Sequence, residues 1–106
     1  MDLFKSNSKG DENLPAISTA AVEELRQKAR KLRRDVITMI YKAASGHPGG
    51  ALSVLDILIV LYYMVMKIDP ANYQDPDRDR LILSKGHACP ALYAVLADRG
   101  FFPASF

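Results

Sequence analysis

The chain has two histidines, and each follows a glycine where one element gives way to the start of a helix. The first stands in Ser45-Gly46-His47-Pro48-Gly49-Gly50 and the second in Ser84-Lys85-Gly86-His87-Ala88. Imidazole is the side chain whose ordinary titration falls near neutral pH. Helix N-termini point unpaired N–H groups outward and favour anions, and glycine lets a backbone approach a ligand closely. Two such turns, brought together, would hold a phosphorylated ligand and handle protons beside it. Sequence by itself does not bring them together. Around them, Gly46, Gly49 and Gly86 suit turns, and Pro48 has a structural role. Lys85 either reaches a phosphate or stays solvated, and Ser84 either donates a hydrogen bond or ends a strand.

These turns need elements to carry them. Val22, Leu25, Ala29, Leu32, Val36, Met39 or Ile40, and Ala43 recur at helical spacing, which predicts a helix from about Thr19 to Ser45. Ser18 or Thr19 caps its start, and Gly46 ends it in a left-handed conformation before Pro48. A second helix is expected from about Val54 to Met66, with Ser53 and Asp56 as a capping box. It has almost no polar face, so other structure must cover it. Lys67 to Asp79, with Asp69-Pro70 and Asp75-Pro76-Asp77, reads as a connection of turns. Leu81-Ile82-Leu83 reads as a short buried strand. A third helix from about Pro90 to Arg99, with Pro90 in its first turn and Gly100 after its end, completes the series.

At 106 residues the chain is at most one small domain, and 49% hydrophobic residues is ordinary for a globular protein. A net charge of +2 implies no polyanionic partner. Between Glu23 and Asp35 the first helix carries six basic and three acidic side chains. No aromatic is interleaved with them, so a solvated face is expected and not a nucleic-acid surface. The aspartates after Lys67 lack the glycine and distal glutamate of a calcium loop, and a turn role is expected of them. The apolar stretch Ala51–Met66 falls short of the roughly 20 residues of a spanning helix and contains Ser53 and Asp56, so no membrane partner is expected. One cysteine, Cys89, allows no intrachain disulfide and fits a reducing, cytoplasmic setting. Residues 1–17 are expected to form a flexible tail, and residues 18–106 the opening portion of a larger α/β domain, cut short or completed by other chains. One strand cannot make a sheet by itself.

The order and spacing of three segments resemble a known family. SGHPGG, then Leu52-Ser53-Val54-Leu55-Asp56-Ile57-Leu58, then Asp77-Arg78-Asp79-Arg80-Leu81-Ile82-Leu83-Ser84-Lys85-Gly86-His87-Ala88 are similar to the start of the transketolases. They are most similar to the N-terminal subunit of the two-chain form, over about Ser18 to Phe102. Deoxyxylulose-phosphate synthases share the two-histidine layout but usually read differently around both turns. The resemblance implies the N-terminal part of a thiamine diphosphate-binding α/β fold, mostly helical here with one short strand. It implies transfer of a two-carbon ketol unit between sugar phosphates, in the setting of the pentose phosphate pathway.

By the same resemblance His47 faces the substrate hydroxyls, and His87 meets both the cofactor diphosphate and the reacting end of the substrate, with Gly86 beside it. The family's metal motif, a Gly-Asp-Gly with a later asparagine, and its activating glutamate have no match in this chain. The ligands of Mg2+ (or Ca2+) are therefore expected elsewhere in the assembly. So is a partner, the C-terminal transketolase subunit or the remainder of the enzyme, in an oligomer, with the chain inactive alone. A different class of function, a non-catalytic interaction fragment of the same fold, would keep the helices and lose the chemistry.

Overall fold

Three helices form because three apolar stripes need one another. The computed structural model describes residues 17–44 and 46–103; residues 1–16 of the expected tail, Ser45 and the last three residues lie outside them. Helix α1 spans Thr19–Ala43, α2 spans Pro48–Val60 and α3 spans Cys89–Arg99. Each packs against the other two. The shared core joins Ala29, Leu32 and Val36 of α1 to Ala51, Leu55, Leu58 and Ile59 of α2 and to Ala91, Ala94 and Val95 of α3. Burying a leucine-sized side chain contributes about 1.5–3 kcal/mol, so Leu32, Leu55 and Leu58 anchor the bundle. Small Ala91 and Ala94 let α3 approach closely.

The ends of the helices follow local chemistry. The Ser18 hydroxyl accepts from the Ala21 N–H at 3.0 Å, as the N-cap expectation required. At the other end, α1 stops before the expected Ser45. Ala44 takes the left-handed conformation, with φ 54°, and its N–H reaches Tyr41 O. Gly46 also has positive φ, 112°, and carries the chain into α2. The expected glycine turn is therefore shared between two residues, one of them an alanine.

Helix α2 begins at Pro48, six residues before the expected start, with Pro48 in its first turn. Proline fits there because its fixed φ is helical and its missing N–H would have had no partner. The Ser53–Asp56 capping box is not formed. Ser53 lies inside the helix and donates to Gly50 O at 3.0 Å, while Asp56 pairs with Arg33 at 2.8 Å. With this earlier start, the helical run Pro48–Val65 is long and apolar enough to cross a membrane by length and composition. In the fold, one side of it supplies the core, and Ile57 remains 59% exposed.

The run ends as a π-helix over Leu61–Val65, with the Met66 N–H reaching back five residues to Leu61 O at 2.7 Å. Such widening leaves carbonyls in need of donors. Arg99 donates through Nε to one of them, Tyr62 O, at 3.1 Å, and through its terminal nitrogen to Ile68 O in the connection beyond at 3.0 Å.

The connection after the π-helix is built from aspartate turns. Asp69 accepts from the Ala71 N–H at 2.7 Å and Asp75 from the Asp77 N–H at 2.9 Å, the two-residue pattern of an Asx-turn. The short strand expected at Leu81–Leu83 is absent, and the described residues contain no strand at all. Leu81 still packs on the core, but Ile82 is 89% exposed. An extended segment becomes a strand only by exchanging backbone hydrogen bonds with a neighbour, and no neighbouring strand stands beside it among the described residues. The observed fold here is all-helical.

Part of the basic face of α1, expected to be solvated, closes the bundle instead. Lys28 and Lys31 reach opposite oxygens of Asp98 on α3 at 2.6 and 2.8 Å. The Tyr63 hydroxyl, on the π-helix, donates to the same carboxylate. Lys28 also lies over the Tyr63 ring, 4.5 Å from its centre. Burial pushes the Asp98 carboxyl upward, but hydrogen bonds from Lys28, Lys31 and Tyr63 outweigh it and hold the group down at about 2. Burial and the adjoining carboxylate push the Tyr63 phenol well above its usual range. One carboxylate thus ties α1, the π-helix that continues α2, and α3 together.

Candidate functional site

His47 is the N-cap residue of α2, extended at φ −117° and ψ 115°, and its side chain makes no capping bond. Its ring is exposed. Because Pro48 follows it and no side chain caps the helix, the first turn of α2 presents its N–H groups outward at the positive end of the helix dipole.

The second turn meets the first here. Gly86–Ala88 forms a single 3-10 turn leading directly into α3, and it packs on α2. A methyl group built at Gly50 would lie 3.2 Å from both Cδ2 and Nε2 of His87 and 3.3 Å from Cε of Lys85. The His87 ring and the Lys85 stem therefore rest close over Gly50, where an added side chain would press on them. Gly50 is three residues from His47, within one helical turn. The two histidine turns, which the sequence left unplaced relative to one another, adjoin at the N-terminus of α2.

Three further features shape this corner. A Cβ at Gly49 or at Gly86 would meet nothing within 4 Å, and neither residue has positive φ. Nothing in the described chain requires glycine at either place, and both leave backbone open to an incoming group. Lys85 Nζ donates to Ser53 Oγ at 2.6 Å, beside the His87 ring. Cys89, half-buried, opens α3 directly behind the turn. The donor set of imidazoles, an ammonium and outward N–H groups fits an anion. It does not fit a metal ion: among the described residues no three His, Cys, Asp or Glu side chains stand together as ligands.

A separate concavity lies away from both turns. A groove of about 540 Å3 runs between α1 and the second helical run, lined by Leu25, Ala29, Ile59, Val60 and Met64 with Arg26 and Arg30 among its polar residues. None of the histidine-turn residues reaches it. Its one carboxylate, Asp56, is paired with Arg33, and neither histidine lines it, so size does not make it the reactive site.

The family model described as "Transketolase, thiamine diphosphate binding domain" matches residues 23–104, a span that includes both histidine turns. The chain belongs to the transketolase family. Among its relatives, a 6-deoxy-6-sulfo-D-fructose transketolase subunit from Clostridium sp. (strain MSTE9) is 50% identical over 80 residues, covering 76% of this chain and 29% of that protein. One of the apulose-4-phosphate transketolase subunits of Phocaeicola vulgatus is 41% identical over 80 residues, covering 76% of this chain and 28% of that protein. The transketolase of Mus musculus is 40% identical over 82 residues, covering 77% of this chain and 13% of that protein. The chain thus spans less than a third of the length of these relatives. The expected likeness to subunits of two-chain transketolases holds, and the fold family is that of the thiamine diphosphate-binding domain.

Within this transketolase-family corner, sequence reasoning named His47, His87 and Gly86 but missed Gly50 and Ser53. The doubled glycine after Pro48 carried a signal for Gly50: a helix that starts at proline and tolerates two glycines has something close against its first turn. Ser53 was hidden by its capping-box spacing.

Proposed function

We propose that this chain forms the N-terminal part of a transketolase-type enzyme that moves a two-carbon ketol unit from a ketose phosphate to an aldose phosphate with thiamine diphosphate. The observation that carries it is the junction of the two histidine turns at the N-terminus of α2, where the His87 ring rests over Gly50. When bound, thiamine diphosphate supplies the carbanion-stabilising chemistry. The chain's own groups bind and move protons around it. His87 and the backbone beside Gly86 and Gly49 meet the diphosphate end, where outward N–H groups and a protonated imidazole both favour an anion. His87 also reaches toward the reacting end of the sugar. His47, exposed at the helix start, faces the sugar hydroxyls, accepts a proton from one of them and returns it.

The rest of the machinery comes from other parts of the assembly. The ligands of Mg2+ (or Ca2+) and the glutamate that activates the cofactor belong to the C-terminal transketolase subunit or the remainder of the enzyme, in a cytoplasmic oligomer. Neither nucleic acid nor a membrane is a partner in this account. Sugar phosphates are the substrate class, and the sugars named for two relatives both end in an anionic group, a sulfonate or a phosphate.

A coupled assay tests this directly. The complete assembly containing this chain is expected to transfer a ketol unit in a manner dependent on thiamine diphosphate, and residues 1–106 alone are expected not to. Absence of transfer by the assembly, or sustained transfer by the isolated chain, would overturn the proposal.

A further inference from the structure

Four basic side chains are half-buried among the described residues: Lys28, Arg78, Lys85 and Arg99. Lys28 meets the Asp98 carboxylate. Arg78 donates to Asp75 O and Arg99 to two carbonyls. Lys85, which like Arg78 and Arg99 has no carboxylate within ion-pair distance among the described residues, ends instead on a side-chain hydroxyl, that of Ser53, 2.6 Å away. An ammonium held by a neutral hydroxyl keeps its charge uncompensated and open to an anion arriving from outside.

The hydrogen-bond directions at Ser53 are fixed. A hydroxyl has one proton to give and two lone pairs. The Ser53 proton goes to Gly50 O at 3.0 Å, and an ammonium can only donate, so Ser53 accepts from Lys85. One of the three Lys85 N–H donors is thereby occupied and two remain. The Lys85 stem is held from below as well, because its Cε rests against Gly50 beside the His87 ring. Ser53 and Gly50 are one turn apart on α2, so together they constrain both the stem and the head of a side chain that carries large rotamer entropy when free.

Resting on the diphosphate assignment above, we propose that Ser53 is a positioning residue whose hydroxyl clamps the Lys85 ammonium over the first turn of α2, so that its remaining donors stand beside His87 toward the anionic end of the ligand. Ser53 itself touches neither cofactor nor sugar. A freely solvated lysine, by contrast, would be indifferent to what occupies position 53.

Calorimetry on the complete assembly, with thiamine diphosphate, thiamine and inorganic pyrophosphate as separate probes, tests the clamp. Lys85→Met is expected to weaken thiamine diphosphate and pyrophosphate about ten- to a hundredfold and leave thiamine unchanged, the scale of one hydrogen bond to a charged group. Ser53→Ala is expected to weaken the same two anions roughly three- to tenfold, a fraction of that loss because the charge remains and only its placement is relaxed. Ser53→Thr, which keeps the hydroxyl, is expected to restore binding. In the Lys85→Met background Ser53→Ala is expected to add nothing, because the two act through one contact. Unchanged anion binding in Ser53→Ala, or the same loss from it with and without Lys85, would overturn the clamp. Melting curves accompany each variant, and a loss explained wholly by unfolding counts against it too. Pyrophosphate binding that obeys these rules while thiamine diphosphate fails to bind would sink the cofactor assignment and leave the clamp standing. Failure of both probes to bind the unsubstituted assembly would overturn both.

Discussion

The two charged corners of this small bundle are built on opposite plans. Around Asp98 the charges are closed: two lysines, a phenol and a carboxylate satisfy one another and bind α1, the π-helix and α3 together. At the N-terminus of α2 they are open: two exposed imidazoles, an ammonium held only by a hydroxyl, and a helix start that no side chain caps. A closed cluster spends its electrostatics on the fold. An open one keeps it for something that arrives from outside. Substitution in the first corner should therefore register in stability, and substitution in the second in binding and turnover.

The largest expected effect is on turnover. In the complete assembly His47→Asn is expected to lower kcat by about 10²-fold or more, the usual reach of a lost general acid–base group, while cofactor affinity changes less. Asparagine keeps hydrogen bonding but cannot exchange the proton. Steady-state kinetics across cofactor concentration separates the two, and a kcat close to that of the parent would place His47 on the structural side of the comparison.

Next comes the closed corner. Asp98→Asn is expected to destabilise the fold by about 2–3 kcal/mol, below the usual 3–5 for breaking a fully buried pair because Lys31 is largely in solvent. Denaturant unfolding measures it, and a change under about 0.5 kcal/mol would show that the tie is ornamental. The same carboxylate sets an acid limit. Its folded value, about 2, lies below its ordinary value of 3.8. Its contribution is therefore complete above about 3.8 and is lost as pH falls from there toward 2. Melting temperature against pH should drop through that window and do so less in Asp98→Asn.

The smallest effect probes the seam between the two turns. Gly50→Ala places a methyl 3.2 Å from the His87 ring, so the ring must shift by a few tenths of an ångström. Alanine favours helix by up to about 1 kcal/mol over glycine, so stability is expected to hold or rise. Cofactor affinity is expected to fall about threefold, since small misplacement of a binding group is costly. Parallel melts and titrations check it. A fall in both would mean that Gly50 serves packing and not the histidine.

How much of this was legible beforehand depends on whether a feature is local. The α1 stripe, the Ser18 cap, Pro90 at the start of α3 and Gly100 at its end could be read because each is decided within one or two turns of chain. The start of α2 was misplaced because Ser53 and Asp56 have the spacing of a capping box, while the decision was made by Pro48 and by partners distant in sequence, Lys85 and Arg33. The strand at Leu81–Leu83 was expected from apolar content, but pairing is a property of two segments, and the second is not among the described residues. The Asp98 tie joins residues 70 and 67 positions apart, beyond any periodicity. The candidate site was legible as two turns of like chemistry. That they adjoin over Gly50 is a tertiary fact that no spacing states.

One measurement bears most directly on the division between the two corners. Thiamine diphosphate titration and thermal unfolding are run side by side on the complete assembly carrying His87→Asn and on the assembly carrying Asp98→Asn. With His87→Asn, affinity is expected to fall about ten- to a hundredfold, the scale of one lost hydrogen bond to a charged group, with the melting temperature almost unchanged. With Asp98→Asn, the melting temperature is expected to fall by several degrees, with affinity nearly intact below the transition. If His87→Asn binds the cofactor as tightly as the parent, or loses it only in proportion to unfolding, His87 is a structural residue and the open corner is not the binding site.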